Sequence, residues 1–592
     1  MPRQNLAAFA SLVLPFLAIA PAEAATRHHH AAVGPVAIGP VEIGIVAFND
    51  FHGNLEPPRQ SVAAPDGKGG TVAVPAGGAA WFASAVEQIR AKYRYHLTVA
   101  AGDMTSASQL ASSLYLDEPT VGVMNRLGVD YNAVGNHEFD RGRAELLRLQ
   151  NGGCAKYTVH QPCALEPFAG ASYHYLAAST VDVATGKTLF PASDLRWFGK
   201  GRARVSVGVI GLALKDVPSL VSAGGVTGLA FRDEVETINA ETRKLKAAGA
   251  DAVVVLIHQG GAATGDDPNG CKGLTGDIRP ILDRLDPQVD LVVSGHTHRD
   301  YVCDYPVPGR AGTLLLTSAG HYGEEVTDIA LSIDPRRHRV VARHAHNVIV
   351  QSVGYTSAKG SVAPTTVYPQ FQPDPAIAAY VGRYVTAAHG AITRVVGHLS
   401  GPATRGEGGD IWDGAGLGNL IADAHLAATR VAGAQIALTG PLGIRAQIVP
   451  GSDGAVTFGD LYASQPFGNL LVTETLTGAE LKATLEQGID DRGPFEVLSP
   501  SAGFAWRFDR SRAEGDRVVA MTFEGKPVDP AAHYRVTINN FLAQGGDGFT
   551  GFAGKADAVN GGADIDAFEA WVGAVPVRTV PAEHRVLREG VR

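Results

Sequence analysis

Asp, Asn and His side chains recur in this sequence at one kind of place, just past the carboxyl end of an apolar run. Asp50 and His52 follow EIGIVAF, and Asp103 follows HLTVAAG. Asn136, His137 and Asp140 lie in DYNAVGNHEFD, His258 ends ADAVVVLIH, and His296 and His298 follow VDLVVSG. Taken singly, each has an ordinary reading. Asp103 can cap a turn, His258 can be a hydrogen-bonded structural histidine, and Asn, Asp and Gly after Phe48 are turn residues. Taken together, five structural accidents would have to fall at equivalent places on successive runs. Two Asp, one Asn and four His (Asp50, His52, Asp103, Asn136, His258, His296, His298) offer hard oxygen and borderline nitrogen donors and no thiolate. That chemistry suits Zn, Mn, Co or Fe. Seven donors exceed one tetrahedral ion and fit two divalent ions sharing a carboxylate, roughly 3.5–4 Å apart.

Such a set needs elements that bring it to one edge. The apolar runs rich in Val and Ile alternate with helix-like stretches such as GAAWFASAVEQIRAKY, the pattern of a layered α/β domain. In such domains the carboxyl ends of the strands build the site. Asp50 and His52 are two positions apart, so on an extended chain both side chains point to one side. Near residue 355 the pattern thins into a Pro, Gly, Ser and Thr segment that reads as a boundary. PAIAAYVGRYVTAAHG has helical spacing and a terminal Gly, and a new alternation begins near residue 390. Within it, Arg445 follows a glycine-containing turn, Phe467 and Asn469 flank another, and Phe541 precedes GGDGF, which carries Asp547. Aromatic rings beside such turns belong to cores or stack planar bases.

At 592 residues, with 45% hydrophobic and 18% charged residues, the chain has material for two or more domains. A formal net charge of −9 gives no broad footprint for a nucleic acid duplex or an anionic membrane. Residues 1–24 carry one Arg, a short apolar run and a small-residue site, the order of a cleaved signal peptide, and no second run of spanning length comes after it, so no membrane anchor is expected. Cys154, Cys163, Cys271 and Cys303 are an even set in an exported chain, favouring two local disulfides, Cys154–Cys163 and Cys271–Cys303, over a four-thiolate zinc site. His28, His29 and His30 stand among Ala, Gly and Pro, and no function is assigned to them.

The set DFHGN, GDMTSAS, GNHEFD, IHQGG and SGHTH resembles the calcineurin-like metallophosphoesterases in order and separation. The resemblance implies that Asp50, His52 and His298 hold one ion, that Asp103 bridges, and that Asn136, His258 and His296 hold the second. It makes His137 the catalytic histidine, oriented by Asp140. The later segments TGPLGIRAQI, YASQPFGNLLV and VTINNFLAQGGDGFTGF, with GNLIADA at 418–424, are similar to the C-terminal domain of the secreted 5′-nucleotidases, a family that includes bacterial UDP-sugar hydrolases. By that likeness Phe467 and Phe541 sandwich a base, Asn469 meets its edge, Asp547 binds ribose hydroxyls and Arg445 approaches phosphate or ribose.

The implied architecture is a four-layer β-sandwich metallophosphoesterase domain over 41–355, a linker and connecting helix over 356–389, and a second α/β domain binding substrate over 390–592. The implied activity is two-metal hydrolysis of nucleoside 5′-monophosphates. The alternatives are a 2′,3′-cyclic nucleotide phosphodiesterase or a UDP-sugar hydrolase, then a thiosulfohydrolase or a secreted binding protein on a retired scaffold. A bacterial periplasmic or secreted location follows from the leader. Two features depart from the family pattern: Gly440, Pro441 and Leu442 stand where an Asn and a run of glycines are usual, and the arginine common just before LGNL has only Arg405 nearby.

Overall fold

The first apolar run forms the strand Val41–Phe48, whose alternation assigns its two faces. Ile43, Ile45 and Ala47 point into one apolar layer, and Val46 and Phe48 into another. The computed structural model describes residues 39–589 except 159, 222, 311, 358–359, 406–410, 414, 492–494 and 583, so the expected signal peptide and the three histidines after it lie outside the described residues.

Two six-stranded mixed sheets face each other. The first runs 339–349, 325–334, 41–48, 96–100, 131–133, 174–176, and the second 300–305, 314–319, 291–294, 252–258, 205–213, 193–198. In each the central strands are parallel. Between the sheets Ile43, Ile45, Leu97 and Val99 meet Val207, Val209, Val254, Leu256 and Val293, all buried. The helix Ala79–Arg90 covers the outside of the first sheet and the helix Glu234–Ala247 that of the second. These helix, sheet, sheet and helix layers are the expected four-layer sandwich. Both expected disulfides form, with Cα separations of 5.5 Å for Cys154–Cys163 and 5.1 Å for Cys271–Cys303.

The connecting helix is Pro375–Ile392. The Asp374 carboxylate caps it by accepting from Ala376 N and Ile377 N, and Pro375 occupies its first turn, where no amide hydrogen is needed. Tyr380 packs so closely on Gly122 that a Cβ there would lie 1.9 Å from its hydroxyl, and Arg126 stacks on its ring at 3.6 Å. At its far end Ile392 packs against Gly459.

The second half is built on a five-stranded sheet, ordered 499–500, 436–439, 533–539, 470–477, 559–563. Strands 436–439 and 533–539 are parallel, while 470–477 runs antiparallel to them. The carboxyl ends that lead to Arg445, Phe541 and Asp547 and the start that comes after Phe467 and Asn469 therefore share one edge. Trp506, Leu476, Leu485 and Ile538 fill the core beneath. No described helix is long and apolar enough to cross a membrane.

Candidate metal centre and active site

The chain leaves its first strand at Phe48, and Asp50 and His52 both take left-handed backbone, with φ of 49° and 47°. Their side chains converge because of that turn, not because the segment is extended as its two-residue spacing suggests. Asp103, His296 and His298 share the conformation, with φ of 51°, 71° and 55°. Left-handed non-glycine residues are sparsely populated and cost about 1–3 kcal/mol each, a strain that collects at functional sites.

The seven candidate ligands meet at the carboxyl edges of the two sheets. Donor atoms of Asp50, His52 and His298 lie within 4.8 Å of one another, as do those of Asp103, His258 and His296, and of His52, Asp103 and His137. Asn136 Oδ1 stands 3.0 Å from both His258 Nε2 and His296 Nδ1. Asp103 Oδ2 lies 2.9 Å from His258 Nε2 and 3.7 Å from His52 Nε2, between the two groups.

Hydrogen bonds behind the site fix how two imidazoles face it. His52 Nδ1 donates to Ser106 O at 2.9 Å and His258 Nδ1 to Ala101 O at 2.8 Å. A neutral ring that donates at Nδ1 turns a lone pair inward at Nε2. His52 Nε2 then faces His298 Nε2 at 3.2 Å, and His258 Nε2 faces two acceptor oxygens. Between His52 and His298 lone pairs aimed at each other suit a cation, at His258 a metal would replace the Nε2 proton that Asp103 favours, and the donor set matches borderline divalent metals.

The electrostatics are strongly polarised. Burial works against charge on His258, yet Asp103 carries it up to about 10. Burial and the neighbouring His258 pull His296 down to about 4. Burial also lowers His52 and His298 well below the usual imidazole range, with Arg445 adding to the effect on both. Asp103, despite its burial, is held low by His258 and His137.

His137 Nδ1 donates to Asp140 Oδ2 at 2.8 Å, and His137 N donates to Asp103 Oδ1 at 2.9 Å. Burial opposes protonation of the ring, and Asp140 and Asp103 reverse the balance and raise it. The Phe467 ring, from the second half of the chain, stacks on His137 with centroids 5.5 Å apart and planes 16° apart. The Arg445 guanidinium lies 5.5 Å from the Phe467 centroid, and its Nε is buried without a hydrogen-bond partner. Asp547, also left-handed with φ 52°, is pushed up to about 7 by burial against the pull of Arg445 and His137. The Phe541 ring packs over Gly546, beside Asp547, where an added Cβ would lie 2.5 Å from it. Asn469 is tied to its own domain, its carbonyl accepting from Asp564 N at 2.8 Å and its side chain bonding the Asp564 carboxyl.

Glu138, Asn49, His321 and Tyr322 brace the candidate site without standing out in the sequence, and Arg405, noted there, proves to reach it. Glu138, 3% exposed, accepts backbone hydrogens from Asp103, Met104 and Gly135. Asn49 donates to Asp50 Oδ2 and Gly320 O and accepts from Ala319 N, locking the first ligand to the next sheet. His321 stacks on His298 at 4.9 Å, and Tyr322 N donates to Asp50 O. The segment SAGHYGEE that carries both comes after a strand at the same sheet edge, a signal the sequence did hold. Arg405 reaches Ile444 O at 2.9 Å and Arg445 O at 3.3 Å, placing a second guanidinium beside the first. Glu496 approaches Asp547, and burial with that charge lifts its carboxyl to about 9.

The fold and this centre define a phosphoesterase of the metal-dependent kind. Residues 43–300 match the model of the calcineurin-like phosphoesterases, and residues 395–554 match that of the 5′-nucleotidase C-terminal domain. The chain belongs to the family that joins these two domains, a family of metal-dependent phosphoester hydrolases.

Among relatives, it is similar to the crystal structure of a 5′-nucleotidase precursor from Thermus thermophilus, at 26% identity and a TM-score of 0.70, over 92% of this chain and 99% of that one. It is 27% identical to a snake venom 5′-nucleotidase of Naja atra over 88% of this chain and 93% of that protein. It is 30% identical to the endonuclease YhcR of Bacillus subtilis strain 168 over 84% of this chain, and spans 37% of that protein's length.

Proposed function

We propose that this protein hydrolyses phosphate esters of nucleotides, releasing phosphate from nucleoside 5′-monophosphates outside the cytoplasm. One observation carries the reading: Phe467, from the second half, stacks on His137 of the first half, and Arg445 lies beside Phe467, near enough for its charge to act on His52 and His298. An aromatic face and a cation beside a metal-ligand cluster suit a substrate that pairs a planar base with a phosphate.

Asp50, His52 and His298 would hold one divalent ion and Asn136, His258 and His296 the other, with Asp103 shared. Zn, Mn, Co or Fe suits these donors. Bound there, the ions supply Lewis acidity and a nucleophile at neutral pH. Arg445, with Arg405 beside it, binds the anionic group. His137, its Nδ1 hydrogen held by Asp140, presents Nε2 to the transferring phosphoryl group or the leaving oxygen. Phe467 and Phe541 hold the base, Asp547 takes the ribose hydroxyls, and Asn469 reaches the base edge once it exchanges its bond to Asp564. The two disulfides fit an oxidising compartment such as a periplasm or the medium.

The test is phosphate release from AMP, UDP-glucose, 2′,3′-cyclic AMP and p-nitrophenyl phosphate, with Mn or Zn added. Preferred turnover of AMP supports the reading. Turnover of the generic ester with none of the nucleotides rejects it.

A further inference from the structure

Asp117 is fully buried, yet its side chain takes no part in the helix that it begins. It stands just before the helix Glu118–Leu127, where an aspartate ordinarily caps the first amide hydrogens, and it makes no such bond. Its backbone is left-handed, with φ of 60°. The carboxylate bonds elsewhere. Its Oδ2 accepts from Ser106 N at 3.0 Å and from the Arg141 guanidinium, and its Oδ1 accepts from the Ser112 hydroxyl at 2.6 Å. Burial works against its charge, and Arg141 with Ser112 holds the carboxyl below the usual range.

Two of these partners lead to the active site. Ser106 O accepts from His52 Nδ1 at 2.9 Å, and Ser106 and Ala107 are both left-handed, with φ of 67° and 48°. Non-glycine residues hold such backbone at a cost of about 1–3 kcal/mol each, so this turn needs a grip, and the Ser106 amide has one in Asp117. Glu138 grips the same segment from its other end, through the Asp103 and Met104 amides. Arg141 directly follows Asp140, whose Oδ2 accepts from His137 Nδ1 at 2.8 Å. One buried carboxylate therefore stands behind His52 and, through its ion pair, behind the His137–Asp140 pair.

We propose that Asp117 is a positioning residue for the reaction. Through the Ser106 amide it sets the carbonyl that turns His52 Nε2 toward the ligand cluster, and through Arg141 it fixes the turn that carries His137 and Asp140. A buried ion pair adds little net stability, because desolvation offsets its attraction; what this pair supplies is the shared register of a metal ligand and the histidine that acts on substrate. The inference rests on the two-metal reading above and adds to it two residues, Asp117 and Arg141, that neither hold an ion nor touch the substrate.

The experiment is equilibrium dialysis of the full mature chain against graded Mn, with kcat and KM for AMP and p-nitrophenyl phosphate measured at saturating Mn and the denaturation midpoint of each variant. Asp117→Gly removes the carboxylate and suits the left-handed backbone. Its Mn affinity should fall about 10–100-fold, the usual effect of a change just behind a metal ligand, and kcat should fall on both substrates with KM little changed. Asp117→Asn keeps an oxygen for the Ser106 amide and should recover most of the loss. Arg141→Met should lower kcat with Mn affinity kept. Where a single variant fails to fold because a buried charge is left unpaired, the double variant Asp117→Gly with Arg141→Met takes its place and should show the same loss of Mn affinity. A lowered midpoint in Asp117→Gly with Mn affinity and kcat like those of the wild type would overturn the proposal. So would equal losses in Asp117→Gly and Asp117→Asn. Loss of Mn affinity in Asp117→Gly supports it even where the wild type turns over no AMP, an outcome that rejects the nucleotide reading alone, whereas a wild type that binds no Mn would overturn both.

Discussion

Glu138→Gln should loosen the metal centre although Glu138 is not one of its ligands. Its Oε2 accepts from Asp103 N at 2.9 Å and Gly135 N at 2.7 Å, and its Oε1 accepts from Met104 N at 2.9 Å. Burial and Asp103 push this carboxyl up to about 8, while His258 and the amide hydrogens favour the anion. With both oxygens accepting N–H groups, the geometry is that of a carboxylate. A glutamine can keep an oxygen at only one of the two positions. Its best orientation keeps the oxygen with the two short bonds and turns an NH2 toward the Met104 and Thr105 amides, which both bond Oε1, the second at 3.4 Å. The well-bonded Met104 donor loses its acceptor, at about 1–3 kcal/mol, and the surviving bonds lose their charge assistance.

That loss is comparable to the strain in the left-handed Asp103, about 1–3 kcal/mol, so the turn 102–105 relaxes and carries the shared ligand with it. Changes just behind metal ligands typically cost about 10–100-fold in metal affinity or activity, and that is the expected loss. Metal content after dialysis against graded chelator, with kcat on AMP at saturating Mn, measures it. Metal affinity and kcat within twofold of the wild type would show instead that Glu138 works as a neutral carboxyl.

Other changes separate the parts of the molecule. Phe467→Ala should raise KM for AMP by about 10–100-fold, since stacking is worth about 1–3 kcal/mol per base, and leave p-nitrophenyl phosphate turnover nearly unchanged; equal effects on both substrates would remove the ring from base recognition. His425, 1% exposed with neither ring nitrogen bonded, is lowered by burial from 6.5 to about 4. The folded state excludes a proton that the unfolded chain takes up below 6.5, so stability falls as pH drops from 6.5 toward 4. The ceiling is about 3.4 kcal/mol, with about 2 kcal/mol lost by pH 5. Urea denaturation at pH 8 and 5 should show that loss in the wild type relative to His425→Leu, and identical pH dependences would contradict it. Breaking Cys271–Cys303, which closes 32 residues, should cost about 3.7 kcal/mol by chain entropy, against about 2.6 kcal/mol for the 9-residue Cys154–Cys163 loop; paired Cys→Ala variants compared by denaturation check the order.

The sequence made the ligand set legible because strand alternation is a local signal. Val41–Phe48 and Ala252–His258 announce themselves by apolar runs, and the polar residues at their carboxyl ends are of the types that can serve as metal donors. The turn that bends Asp50 and His52 together left no such mark: Asp and His enter left-handed backbone more readily than most residues, but which of them do so is decided by the surrounding fold. Glu138 was unreadable for a related reason. It acts on backbone hydrogens 33 to 35 residues away, and nothing in a side chain's type reports an amide partner. Arg405 lay in plain view, but only the pairing of Ala403 with Ile448 carries it to Arg445. The shared edge of Arg445, Phe467 and Phe541 required knowing that one strand of three runs backwards.

In the proposed function His137 acts on the substrate beside a two-metal centre whose ions are held by other residues. Steady-state hydrolysis of AMP by His137→Ala, with bound metal counted on the same sample, tests that assignment most directly. A fall in kcat of about 10²–10⁴-fold is expected, the usual contribution of a positioned acid or base, with two ions still bound. Undiminished turnover with two ions bound would contradict it, and so would loss of the metals themselves.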